Sequence, residues 1–205
     1  MLAAIIDGRL DEAEQLAFDA TTRQIGDHPE AFACLGVNLI DIRLYQGRSG
    51  ELLDLVASAA EDNPHIPAYR AVLALCASEA GEHDVAGAAY DHFATDGFRT
   101  IPLDTNRLLT LGVLAHTAVS LGREADAPRL TELLAPYAGQ QVLLNCFGGG
   151  GAVWGPVDHQ LGRLALLGPD RAAARRLLDG ALAQAEAFGA PLAAARVRDD
   201  RAQVT

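Results

Sequence analysis

Residues 81–86 read Gly81-Glu82-His83-Asp84-Val85-Ala86, a glycine followed by polar residues and then small apolar ones, set between two amphipathic stretches. The same grammar recurs as Gly8-Arg9-Leu10-Asp11-Glu12-Ala13, Gly47-Arg48-Ser49-Gly50-Glu51-Leu52, Gly122-Arg123-Glu124-Ala125-Asp126-Ala127 and Gly168-Pro169-Asp170-Arg171-Ala172-Ala173. In each copy a glycine closes one helix, because it enters the left-handed conformation without a Cβ penalty. Polar or acidic residues then open the next helix, where free N–H groups and the helix dipole favour negative charge. An alanine or leucine stands five positions after each glycine, and where it is alanine two antiparallel helices can approach closely. The glycines lie about 34 to 46 residues apart, the period of stacked helix pairs.

Working outward, breakers fall between the pairs: Asp27-His28-Pro29-Glu30, Asn63-Pro64 with Pro67, Pro102 to Thr105, and Gly189 to Pro191. Asp27 and Glu30 have the spacing of a capping box around Pro29. From Ala174 onward, Leu177, Leu178, Ala181, Ala185 and Phe188 form one apolar stripe at helical spacing. No segment alternates convincingly with period two. The fold expected is all-α: a right-handed α-solenoid of about five helix pairs plus a final helix near Pro191 to Ala202. It forms one domain over 1–205, with a glycine-rich insertion at about 138–153. The first leading helix, Met1 to Asp7, is short, so the chain is expected to open partway into a repeat and to be a piece of something longer.

Composition narrows the function. Sixteen basic residues, all arginine, face twenty-seven acidic ones for a formal net charge of -11. Without a lysine there is no Walker A lysine, no pyridoxal-phosphate Schiff base and no lysine nucleophile. An acidic surface repels a phosphate backbone, which argues against direct nucleic-acid binding. Hydrophobic residues make up 50% of the chain but aromatics only 5%, so alanine and leucine must build most of the core. Cys34, Cys76 and Cys146 are odd in number, far apart and without CxxC spacing, and read as buried thiols of a reducing cytoplasm. The apolar run Met1 to Ile6 lacks the basic leader of a secretory signal. The uncharged stretch Leu133 to Val157 carries too many glycines, with Pro136, Pro156 and Asn145, to be a lipid-facing helix. A cytoplasmic protein without a membrane segment is expected.

Ala74, Ala86 and Tyr90 sit where tetratricopeptide-type repeats place their small-small-aromatic packing set, and Leu161-Gly162 resembles that motif's leucine-glycine pair. A narrower resemblance covers a little under half the chain, from about Leu108 to Arg201. It runs through 115–122 (AHTAVSLG), 133–139 (LLAPYAG), the glycine run, 155–162 (GPVDHQLG) and 185–191 (AEAFGAP). These segments resemble the C-terminal helical-repeat region of large actinobacterial regulators that join an AAA-type ATPase module to a cyclase or a LuxR-type helix-turn-helix domain. The resemblance implies a sensor or protein-interaction scaffold. Neither the nucleotide-binding nor the DNA-binding part is present here, so the regulatory output does not carry over.

Candidate chemistry is sparse. Gly148 to Gly151 lacks the Gly-Lys-Ser/Thr and the preceding strand of a phosphate loop. Phe147 and Trp154 bracket those glycines and are candidate linings of a ligand or partner groove; the alternative is that they plug the core. His28, His65, His83, His92, His116 and His159 form no HxxxH, HExxH or Cys/His cluster, so no metal site is expected. His116 lies in an apolar helix and reads as a satisfied core histidine. Asp158 and His159, adjacent in a helix, point apart. Ser49 lacks a GxSxG elbow, and Asp11-Glu12, Glu61-Asp62 and Asp199-Asp200 read as solvated helix-end charge. The arginines at 171, 175, 176, 196, 198 and 201 form either a groove for an acidic partner or a solvated face.

The function expected is a non-catalytic protein-interaction or effector-sensing scaffold of a bacterial signalling or transcriptional regulator, without cofactor. Its partner is a protein, a peptide or a small effector. Arg43, Tyr45, Arg70 and Asn106, on or beside leading helices, join Phe147 and Trp154 as candidate binding residues. A self-associating structural module is the alternative, with homo-oligomers as its consequence, and an uncharacterised hydrolase is the third reading.

Overall fold

The computed structural model describes residues 1–24, 30–145 and 151–204. Over these the chain is mostly helical. In order come α1 (Leu2–Ile6), α2 (Leu10–Gln24), α3 (Glu30–Gln46), a 3₁₀ turn (Ser49–Leu52), α4 (Leu53–Asp62), α5 (Pro67–Glu79), α6 (His83–Ala94), α7 (Arg107–Ser120) and α8 (Ala127–Leu134). Two strands follow, β1 (Gln141–Asn145) and β2 (Gly151–Pro156), then α9 (Val157–Leu166), α10 (Arg171–Phe188) and α11 (Pro191–Ala202). The Asp27–Glu30 capping box, His28, Cys146 and Phe147 lie outside the described residues or depend on ones that do.

The glycine turns work largely as the spacing predicts. At Gly81 (φ +80°) the amide of Gly81 bonds Ser78 O and the amide of Glu82 reaches back to Ala77 O at 2.9 Å. This is the paired closure that satisfies a helix's last carbonyls. Gly8, Gly47 and Gly122 repeat it. Gly168 does not: its φ is not positive, and only its own amide bonds back, to Ala165 O. The next residue is Pro169, which has no N–H to make the longer bond. Asp170 instead caps α10 by accepting from the Ala173 amide at 2.9 Å.

Small residues bring the pairs together. Ala71, Ala74 and Ala86 are fully buried where α5 meets α6, with Tyr90 and Phe93 sealing the pair. Gly162 serves the α9–α10 pair, since a Cβ there would stand 2.7 Å from Leu178. Of the stripe read in α10, Leu178, Ala181 and Ala185 are buried, but Phe188 is exposed.

The fold is mostly helical, in keeping with the all-α expectation. Its one addition among the described residues is a small antiparallel hairpin of β1 and β2, which begins in the glycine-rich insertion. Its strands are too short for period-two alternation to show, and the register is broken besides. Val142 faces Gly155 and Leu143 faces Val153, which leaves Trp154 as the extra residue of a β-bulge. A bulge bends its strand and re-aims a side chain, and Trp154 is buried. Val142 packs on Gly112 of α7, where a Cβ would lie 3.2 Å from it.

Consecutive leading helices touch, α3 with α5, α5 with α7 and α7 with α9. The hairpin packs against α1, α3 and α7. The last helix also returns to the first: Ile6 of α1 packs against the alanine cluster Ala185, Ala190, Ala193 and Ala194, and Gly8 lies against Leu192. No described helix is long and apolar enough to cross a membrane.

Candidate functional site

Where α5, α7, β2, α9 and α11 converge, a cleft of about 160 Å³ is lined by Glu79, His116, Trp154, His159, Gln160, Arg163, Ala193, Arg196, Asp199 and Asp200. The helical period assembles it. His159, Gln160 and Arg163 lie one turn apart on α9, as do Arg196, Asp199 and Asp200 on α11, while Glu79 ends α5.

Buried polar groups require partners, and here they form a relay. Arg163 Nη1 donates to His116 Nδ1, and since guanidinium only donates, that nitrogen is the acceptor. The imidazole proton therefore sits on Nε2, which donates to Glu79 Oε1 at 2.5 Å. Burial and the adjacent Arg163 charge hold His116 neutral, its pKa pushed down to about 3. The hydrogen bond from His116 lowers the Glu79 carboxyl to about 2, helped by the charges of Arg196 and Arg163. In parallel, His159 Nε2 donates to Asp200 Oδ2 at 2.7 Å, and Arg163 Nε stands 3.4 Å from the same oxygen. Burial pushes the Asp200 carboxyl up, but the His159 bond and the Arg163 charge outweigh it and hold the group below its usual range.

Arg196 ties the far end of the chain to the near end. Its guanidinium lies over the Tyr45 ring at 4.7 Å, its Nη2 donates to Leu44 O at 3.2 Å and stands 3.9 Å from Glu79 Oε2. Nearby on α3, Asp41 is wholly buried, with neither carboxylate oxygen bonded within the described residues. Burial raises its carboxyl to about 7, against the pull of Arg196.

The candidate residues scatter. Trp154 lines the cleft, its ring 5.3 Å from that of His116. Tyr45 borders it through Arg196. Arg43 is buried in ion pairs with Glu14 at 2.6 Å and Glu51 at 3.2 Å. Half-buried Arg70 and Asn106 lie outside the cleft, and Phe147 falls outside the described residues. Asp199 and Asp200 do not share the solvated role expected of them: Asp199 is exposed, but Asp200 is engaged beneath it. Arg196 stands apart from Arg198, which pairs with Glu186, and Arg201, which pairs with Asp179. His116 is a satisfied buried histidine, and Asp158 turns from His159 to accept from the Gly139 amide at 2.6 Å.

Sequence reasoning passed over Glu79, Gln160 and Arg163. The available signal was polar residues on the inner turn of a leading helix, beside Leu161-Gly162, where a solvated face is not expected. Among the described residues no group of three or more acidic, histidine or cysteine side chains could hold a metal. Comparison with family models, with curated proteins and with solved structures finds no match.

Proposed function

We propose that the chain is a non-catalytic, right-handed solenoid of degenerate tetratricopeptide-like pairs that senses a small polar effector, as a module of a bacterial signalling or transcriptional regulator. The observation carrying this reading is the cleft itself: a small polar chamber where several leading helices and the last helix meet, so that its contents bear on the contact between the two ends of the chain. A peptide partner has less support, because the hairpin packs on the leading helices α3 and α7, the face a peptide would follow. Two histidine–carboxylate pairs are present, but Cys76, one turn from Glu79, is buried with its thiol pushed up to about 12 and is no nucleophile at neutral pH.

Thermal-shift screening of the full chain against small metabolites and a peptide library tests the proposal. A small polar molecule at a hundredfold over its Kd should add about 2.7 kcal/mol of stability. Binding by peptides alone, or by nothing in the panel, overturns it. Self-association, the second reading, draws on the exposed Leu16 and Phe18 of α2; light scattering that finds a strict monomer removes it.

A further inference from the structure

We infer that the cleft takes a free α-amino acid as its zwitterion, the carboxylate on Arg196 and the ammonium on Asp199. This rests on the effector reading above and names the ligand class. The cleft is small, about 160 Å³, which suits one small polar molecule.

Charge selects among small molecules. With both histidines neutral, three lining carboxylates face two guanidiniums. Arg163 is already engaged with His116 and Asp200. A purely anionic ligand would meet Glu79, Asp199 and Asp200 with one arginine left to receive it. A purely cationic ligand would sit beside the fixed charge of Arg196 and leave that group's donors unused. Arg196 makes its polar contacts through Nη2, so Nε and Nη1 have no acceptor among the described residues.

Three residues further along the same helix face, Asp199 is exposed and has no ion-pair partner among the described residues. Arg196 and Asp199 have the spacing of an intrahelical ion pair, but Tyr45 and Leu44 draw the guanidinium away. A donor-rich cation and a free carboxylate thus stand side by side, unpaired with one another. A zwitterion satisfies both. The lining is polar, so a zwitterion with a short, neutral, polar side chain, L-glutamine, is the probe of choice.

Calorimetric titration of the full chain compares L-glutamine with glutaramate, which lacks the amine, and 4-aminobutanamide, which lacks the carboxylate. Glutamine should bind, and each truncation should weaken binding about tenfold or more, the usual loss of a charge-assisted hydrogen bond. Asp199→Asn, at an exposed position that leaves the fold intact, should weaken glutamine by a similar factor and abolish its advantage over glutaramate. A truncated analogue that binds as well as glutamine overturns the inference, as does failure of every standard amino acid to bind. If another small polar molecule binds and Arg196→Gln removes it, the amino-acid class falls while the effector reading stands. If no small molecule binds at all, both fall.

Discussion

The α5–α6 and α9–α10 pairs are written in the same grammar and filled differently. In the former, the small residues at the helix contact close on the buried rings of Tyr90 and Phe93. In the latter, Gly162 admits Leu178 on the outer side, while His159, Gln160 and Arg163 turn a polar face inward. One pair is stabilised mainly by removal of apolar surface from water. The other rests on a buried network of His116, Glu79, His159, Asp200 and Arg163, which costs stability when any member is lost. Apolar packing and buried polar contacts are thus divided between the two pairs.

The largest expected effect breaks the apolar pair. Phe93 is fully buried and packs edge-on against His92. Phe93→Ala should cost about 3–5 kcal/mol, read as a lower urea midpoint without a change in slope. An effect below about 1 kcal/mol would mean that the pair can collapse around the cavity and that the contrast is overdrawn.

The polar side is broken by pH. Asp41 titrates near 3.8 when unfolded and near 7 in the fold. Between those values the folded state holds the extra proton, so this group's contribution to stability falls as pH rises from about 4 to 7 and then levels off. Asp41→Asn should therefore match the wild type near pH 4 and exceed it by up to about 4 kcal/mol at pH 8. His116 acts with the opposite sign. Its folded pKa of about 3 lies below the unfolded 6.5, so its contribution is lost as pH falls through that window. Chemical denaturation of both proteins across pH 4–8 isolates Asp41 as the difference. A constant difference would show that Asp41 is ionised throughout.

Much of this frame is legible in the sequence, for a physical reason. Turn glycines, helix-opening prolines and small residues act locally, so Gly81, Pro67 and Pro191 announce their elements directly. The cleft depends on non-local meetings: Arg196 touches α3 and α5 only because the chain returns on itself, and no spacing rule encodes that. The hairpin hid for another reason. Its bulge at Trp154 destroys the period-two signal, and its partner surfaces on α3 and α7 are distant in sequence. Asp200 was misread because an acidic pair near a helix end is normally solvated; only the approach of His159 and Arg163 makes it structural.

A middle-sized effect tests the close approach in the α9–α10 pair. Gly162→Ala gains about 1 kcal/mol of intrinsic helix preference but drives a methyl group into the Leu178 side chain and within 3.3 Å of its backbone nitrogen. Overpacking of this kind costs about 1–3 kcal/mol, so a net loss of about 1 kcal/mol is expected by thermal melting. A net gain would show that α9 and α10 separate freely, and that the two pairs differ less in tightness than their small residues imply.

An effect of similar size concerns the two turns themselves and carries a difference of sign. Gly81 is left-handed, with open space around the position of a Cβ, so Gly81→Ala meets no clash and loses only backbone preference. That costs about 1–2 kcal/mol. Gly168 is not left-handed, and a Cβ there meets nothing nearer than Ala165 O at 3.7 Å. Gly168→Ala should therefore be neutral or stabilise by about 0.4–1 kcal/mol, because it restricts the unfolded chain without straining the folded one. Melting both variants under one buffer decides the matter. Equal losses would mean that Gly168 enters the left-handed region after all, and that Pro169 does not divert this turn from the closure used at Gly81.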